Sequence, residues 1–124
     1  MTTPLRILLI EDSCDDAELL MLALLGEGLA CDIQRVETRP ELDDALVGAP
    51  KDVVICDGHL PGFDGGEALA WVRAAWPSVP FVFCLGSVKD TRIDPDALAS
   101  ADGCVGKNRL HELPPLLRSV TGHE

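Results

Sequence analysis

Residues 52–65 carry the sequence DVVICDGHLPGFDG, the stretch that decides the fold. The four apolar residues at 53–56, rich in β-branched side chains, predict a buried strand that ends at Asp57. Three glycines and one proline follow at 58–65 and predict a loop. Because an unpaired carboxylate is costly to bury, Asp57 either caps a turn where the chain surfaces or works in a polar crevice.

The length and composition are typical of one globular domain. Of the 124 residues, 47% are hydrophobic and 25% are charged, with 21 acidic and 10 basic residues and a net charge of −11. Nucleic acids and anionic membranes are bound by clustered lysine and arginine, whereas the basic residues here are scattered. We therefore expect a single domain over residues 1–124, its core at about 5–120, with no direct nucleic-acid or membrane partner.

The cysteines and the N-terminus bear on the compartment. The five cysteines form no CxxC motif and have no histidine at ligand spacing. Most lie in apolar runs, which predicts small buried thiols in place of a disulfide or zinc framework. The start of the chain lacks the features of a signal peptide, and no apolar run approaches membrane-spanning length, so we expect a soluble cytoplasmic protein. The cysteines are Cys14, Cys31, Cys56, Cys84 and Cys104.

Short apolar runs alternate with helical patterns along the whole chain. The predicted strands are 5–10, 30–36, 53–56, 80–85 and 103–106. The predicted helices are 16–27, 38–46, 66–75, 95–100 and 110–120, the last becoming regular at Pro114 and Pro115. Ser13 or Asp15 is the predicted cap of the first helix, and Asp94 is the predicted cap of the short fourth helix. This alternation predicts an α/β fold, a doubly wound parallel sheet of five strands with helices on both faces.

Charged residues follow three of these strands, at the edge where such sheets bind ligands. Glu11 and Asp12 follow the first strand, Asp57 the third and Lys107 the fifth. A hard cation relieves the repulsion of clustered carboxylates, so we predict Mg²⁺ or Mn²⁺ in front of Asp57. An aspartate beside such a metal can attack a phosphoryl group, while metal and lysine neutralise its oxygens. The alternative is a surface acidic patch with an unrelated lysine. It is a reasonable explanation for any one of these strand ends, but a weaker one for charged residues after three strands at once.

The chain resembles a response-regulator receiver domain of two-component signalling, of the chemotaxis-regulator type. The resemblance rests on LLIED at 8–12, on Asp57 with Pro61 four residues later, on DG at 64–65, and on Gly103 four residues before Lys107. It covers residues 5 to about 120. It implies a flavodoxin-like strand order, 2-1-3-4-5, and a phosphorelay in which an aspartyl phosphate carries the signal.

The resemblance also implies a role for each site residue. Asp57 would be the phosphoacceptor, and Lys107 would contact the phosphoryl oxygens. Asp12 and Asp57 would ligate Mg²⁺ together with the backbone carbonyl of His59, while Glu11 would act through metal-bound water. The His59 side chain stands at the family's variable position two residues after the acceptor, which can influence hydrolysis of the phosphate. An exposed loop histidine is the alternative for this side chain.

Two positions depart from the receiver pattern. Receivers usually carry serine or threonine at the end of strand four, where this chain has Leu85, which offers no donor. The aromatic residue that usually follows the glycine of strand five is replaced by Cys104. Gly86 and Ser87 are candidate phosphoryl contacts, Ser87 only if the loop is rearranged; a loop or cap serine is the alternative. The usual coupling of phosphate to the face of helix four, strand five and helix five therefore cannot run in its standard form.

Three functions follow from these residues. The first is a phosphoacceptor receiver that serves a histidine kinase or phosphotransfer protein and signals to a protein partner or an output domain outside this sequence. The face of helix four, strand five and helix five is then a candidate homodimer surface. The alternative is a receiver-shaped interaction module whose output is independent of phosphate. A turnover enzyme, such as a phosphatase, would favour a second acid where His59 stands, so we expect only self-phosphorylation and dephosphorylation at Asp57.

Overall fold

Five parallel strands form the central sheet of the computed structural model, which describes residues 3–86 and 93–122. The strands are β1 (Leu5–Ile10), β2 (Cys31–Val36), β3 (Val53–Cys56), β6 (Phe81–Leu85) and β7 (Gly103–Gly106). Two short strands, β4 (His59–Leu60) and β5 (Phe63–Asp64), form a separate antiparallel pair. The sheet order is β2-β1-β3-β6-β7. Counted over the five main strands alone this is 2-1-3-4-5, and the predicted flavodoxin-like order is confirmed.

Four of the described α-helices begin at a residue whose side chain caps them. Ser13 accepts a hydrogen bond from the Asp16 N–H at the start of α1, and Asp94 caps the short α4 as predicted. Capping boxes start α2 at Thr38 and α3 at Asp64. A 3₁₀ helix, Lys107–Glu112, follows β7 directly and precedes α5. The helices are α1 (Cys14–Gly26), α2 (Arg39–Leu46), α3 (Gly65–Ala75), α4 (Pro95–Ser100) and α5 (Leu113–Thr121).

The sheet is buried on both faces, as expected for parallel strands. Alternate residues of β1 belong to different cores: Leu8 and Ile10 pack with α2, α3 and α4, while Ile7 and Leu9 pack with α1 and α5. Helices therefore cover both faces, as predicted. None of the helices in residues 3–86 and 93–122 is long and apolar enough to span a membrane.

Two expectations need correction. The segment after Asp57 was predicted as a loop, but it folds back as the β4–β5 hairpin around Gly62, whose φ is 83°. The hairpin forms because Leu60 and Phe63, at facing positions, are both buried in the core.

The cysteines also differ from the prediction of buried thiols. All five are described and free, yet burial holds fully only for Cys56 and Cys84. Cys14 is exposed because it starts α1 at the surface, and Cys104 is exposed on β7 at the edge of the sheet. Cys31, on the opposite edge strand, is half-buried.

Neighbouring leucines of α1 provide a test of this packing. Leu24 is 1% exposed and Leu25 is 70% exposed. We expect Leu24→Ala to lower the free energy of unfolding by about 2–5 kcal/mol, because it leaves a cavity in the core. Leu25→Ala, the matched control, should change it by no more than about 0.5 kcal/mol. Urea denaturation measures both, and equal losses for the two variants would contradict the orientation of α1.

Candidate functional site

The ends of three strands bring the predicted charged residues together. Glu11 and Asp12 directly follow β1, Asp57 directly follows β3, and Lys107 directly follows β7. One carboxylate oxygen from each of Glu11, Asp12 and Asp57 lies within 4.8 Å of the others. The Nζ of Lys107 is 3.1 Å from Glu11 Oε2 and 3.4 Å from Asp57 Oδ1.

The parallel register of β1 and β3 places Glu11 and Asp57, the residues that follow these strands, side by side. Ile10 pairs with Cys56, the last residues of β1 and β3, so both strands end at the same level of the sheet. The Asp57 N–H donates to the Ile10 carbonyl at 2.9 Å, and the Glu11 N–H donates to the Val36 carbonyl at 3.0 Å. The first residue after each strand is therefore still held by the sheet ladder, and its side chain is positioned by the backbone.

Glu11 is the one buried charged residue of the described chain, with only 3% of its surface exposed. The Ser13 N–H donates to its Oε1 at 3.2 Å. Burial and the neighbouring charge of Asp57 raise the pKa of Glu11 to about 7, against the lowering effects of Lys107 and the Ser13 N–H. The surroundings therefore resist negative charge at this carboxylate.

Asp57 lies in the crevice with its side chain 14% exposed. The Gly58 N–H donates to Asp57 Oδ1 at 2.7 Å. Burial raises the pKa of Asp57, although Lys107 and the Gly58 N–H lower it and Asp12 adds to the rise. Two neighbouring carboxyl groups with raised pKa values form a site that a cation would stabilise.

Lys107 is bound by a carboxylate that the sequence analysis did not identify. Its Nζ lies 2.7 Å from Asp16 Oδ2, a shorter contact than those with Glu11 and Asp57. Burial lowers the pKa of Lys107, but the hydrogen bond to Asp16 and the charges of Asp57 and Glu11 raise it above its ordinary value. The available signal was the position of Asp16 in the first turn of α1, since helical side chains lean toward the N-terminus.

Gly58, the residue after Asp57, has an apolar contact. Leu85 and Ile93 are both buried and approach Gly58 so closely that a Cβ added there would lie 2.8 Å from Leu85 Cδ2 and 2.7 Å from Ile93 Cδ1. A side chain at this position would have to displace the ends of Leu85 and Ile93, so the packing favours glycine, which the sequence pattern had indicated only as a loop residue. The side chain at the end of β6 is thus buried in the core and packs against the residue that follows Asp57.

The remaining predicted residues lie around this centre. His59 starts β4 and has an exposed side chain; in the strand register it lies opposite Asp64 of β5. Cys104 is exposed on β7, and Gly86 is exposed just after β6. Ser87 lies outside the described residues. The proposed roles of the His59 carbonyl, Gly86 and Ser87 stay predictions.

The comparisons with known proteins bear on the fold. No family model matches the chain, and no curated protein matches it. Among solved structures, the signal receiver domain of an HD domain-containing protein from Pseudomonas fluorescens has a TM-score of 0.82 and 21% identity over 98% of this chain and 89% of that chain. The response regulator receiver domain from Methylobacillus flagellatus has a TM-score of 0.78 and 24% identity over 95% of this chain and 99% of that one.

The chain has the receiver-domain fold. A third similar structure, the response regulator protein TrrA from Thermotoga maritima in complex with Mg²⁺-BeF, has a TM-score of 0.77 and 24% identity over 93% of this chain and 97% of that chain. At these identities the likeness establishes the receiver fold, and the resemblance inferred from the motifs is confirmed at that level.

The donor set of the receiver fold's acidic edge fits a hard divalent cation. Glu11, Asp12 and Asp57 offer three carboxylate oxygens within 4.8 Å of one another, and Asp12 is exposed to solvent. Mg²⁺ prefers such oxygen ligands and retains several waters, and the exposure of Asp12 leaves this side of the group open to solvent.

Removal of one of these carboxylates tests the metal site. We expect Mg²⁺ at about ten times its dissociation constant to add about 1.4 kcal/mol to the free energy of unfolding, because only the folded chain assembles the carboxylates. Asp12→Asn should lose most of this increment. Asp44→Asn, the same charge change at an exposed position of α2, should keep it. Urea titrations with and without Mg²⁺ measure the increment; an equal loss in both variants would contradict a site at Asp12.

Proposed function

We propose that this chain is a phosphoacceptor receiver, in which Asp57 accepts a phosphoryl group from a histidine kinase, a phosphotransfer protein or a small phosphodonor. The observation that carries the proposal is the meeting of Asp57, two further carboxylates and Lys107 at one edge of the receiver fold. A lone acid at a strand end would be explained as a turn residue. A half-buried acid with a cation site on one side and an ammonium at 3.4 Å is suited to phosphoryl transfer.

The residues divide the chemistry among themselves. A carboxylate oxygen of Asp57 attacks phosphorus, forming the new P–O bond as the bond to the donor's leaving group breaks and its electron pair leaves with that group. The Gly58 N–H and Lys107 both contact Asp57 Oδ1 and orient the carboxylate. Asp12, Glu11 and Asp57 would hold Mg²⁺ or Mn²⁺, with the His59 carbonyl completing the protein ligands. When bound, the metal supplies positive charge to the phosphoryl oxygens. The complex of TrrA with Mg²⁺-BeF supports this choice of cofactor.

The partners follow from the same chemistry. In this proposal the chain catalyses only its own phosphorylation and dephosphorylation and signals in the cytoplasm, within a two-component system. The signal passes to a protein partner or an output domain. The face of α4, β7 and α5 binds that partner or a second copy of the chain. The net charge of −11 favours a basic partner over direct contact with nucleic acid.

A second function is favoured by one observation, the buried Leu85. Its side chain is 2% exposed and packs with Ile93 against Gly58, where receivers usually present a hydroxyl. A missing hydrogen bond to a charged group costs about 1.5–3 kcal/mol, so the phosphorylated state loses stabilisation while the nucleophile remains. With Cys104 also in place of the usual aromatic residue, the chain can serve as an interaction module whose output is independent of phosphate.

Phosphorylation of Asp57 is tested by intact mass spectrometry. With Mg²⁺ and acetyl phosphate we expect one added phosphoryl group on the wild-type chain. Asp57→Asn should show none, because an amide is not a nucleophile in this reaction. Asp32→Asn, at an exposed position of β2, should label like the wild type. If the wild type gains no phosphoryl group under conditions that phosphorylate a working receiver, the proposal is wrong.

Restoring a hydroxyl at position 85 separates chemistry from switching. We expect Leu85→Thr to lengthen the half-life of the aspartyl phosphate about 10-fold, since its hydroxyl can donate to the phosphoryl group. Leu85→Val, which has the shape of threonine without the hydroxyl, is the matched control and should not lengthen it. Decay of the phosphorylated mass after removal of the phosphodonor measures both. Equal half-lives for the threonine and valine variants would show that position 85 does not reach the phosphoryl group.

A further inference from the structure

Lys107 is held closer to α1 than to the phosphoacceptor. Its Nζ lies 2.7 Å from Asp16 Oδ2, 3.1 Å from Glu11 Oε2 and 3.4 Å from Asp57 Oδ1. An ammonium has three N–H donors, and the structure supplies three carboxylates for them. A phosphoryl oxygen on Asp57 can therefore bind the Lys107 ammonium only in competition with a carboxylate that already accepts one of its N–H groups.

Asp16 is well placed to retain its share. Its backbone N–H donates to Ser13 Oγ at 3.2 Å, which fixes the first turn of α1. The Ser13 N–H in turn donates to Glu11 Oε1 at 3.2 Å, so one cap residue contacts both the Glu11 carboxylate and the backbone of Asp16. The Asp16 side chain is 38% exposed, whereas that of Lys107 is 18% exposed, and this partial burial strengthens their attraction.

Asp16 also differs from the other two partners of Lys107 because a bound cation would not offset its charge. Glu11 and Asp57 belong to the group of carboxylates that can share a metal ion, while Asp16 lies outside that group. A bound cation offsets the charges of Glu11 and Asp57, and phosphorylation converts Asp57 to an acyl phosphate. Asp16 is then the carboxylate partner of Lys107 that keeps its full charge.

We propose that Asp16 is a positioning residue that competes with the phosphoryl group on Asp57 for the ammonium of Lys107. This inference rests on the proposed phosphoacceptor function and adds a control on how strongly the phosphorylated state is held. Asp16 keeps Lys107 toward α1 and thereby weakens its contact with the phosphoryl oxygens. A chain with this carboxylate holds its phosphoryl group less firmly than the same chain without it.

The test is the binding of beryllofluoride, a stable stand-in for the phosphoryl group, at saturating Mg²⁺. Asp16→Asn keeps the size of the side chain and an oxygen that can accept from Lys107, but it removes the competing charge. We expect Asp16→Asn to bind beryllofluoride about 3- to 10-fold more tightly than the wild type. Its Mg²⁺ affinity without beryllofluoride should not rise, since Asp16 is no member of the metal group and a Lys107 released toward Glu11 and Asp57 can only oppose the cation. Isothermal titration calorimetry measures both affinities.

Two variants separate position from charge. Asp15→Asn makes the same charge change one residue away at an exposed position and should leave beryllofluoride affinity unchanged. Asp16→Glu restores the charge and should return the affinity to within about twofold of wild type. Unchanged or weaker binding by Asp16→Asn, or equal tightening by Asp15→Asn, would overturn the competition. A wild type that binds Mg²⁺ but no beryllofluoride would overturn the proposed function itself, and this inference with it.

Discussion

The site depends on one ammonium group among several carboxylates. Lys107 contacts Glu11, Asp16 and Asp57, each supplied by a different part of the fold. Without it the acids would repel one another in a crevice where water is partly excluded. Even with it, the pKa values of Glu11 and Asp57 are raised, because one positive charge does not offset their burial and the charge of a neighbouring acid, Asp57 for Glu11 and Asp12 for Asp57. This remaining imbalance is the physical reason to expect a cation at the site.

Asp57 contacts a charged group, whereas Gly58, the next residue, contacts apolar side chains. Lys107 and the acidic residues lie toward α1, whereas Leu85 and Ile93 close against Gly58. The proposed chemistry needs the charged contact, and transmission of a signal needs a side chain that responds to it. Leu85 has no hydrogen-bonding group, so in the proposed function it could not report the phosphorylation of Asp57 through a hydrogen bond.

Most of the fold could be predicted from the sequence because it depends on local patterns. Apolar runs located the five main strands, and caps and prolines located the helices, including the short α4 after Asp94. The β4–β5 hairpin could not be predicted this way, since Leu60 and Phe63 pair only when the core buries both. The two exposed cysteines were misjudged for a related reason: a side chain's apolar neighbours in sequence do not determine on which face or edge it lies.

The sequence by itself determined which residues end the strands of a parallel sheet, and hence that Glu11, Asp12, Asp57 and Lys107 meet. That inference needs only topology, because the carboxyl ends of parallel strands share one edge. Tertiary structure alone decided how the charges are distributed there. It brought Asp16 to 2.7 Å from Lys107, and it packed Leu85 against Gly58. Such contacts depend on distances of a few ångströms between elements far apart in the chain, which residue order does not contain.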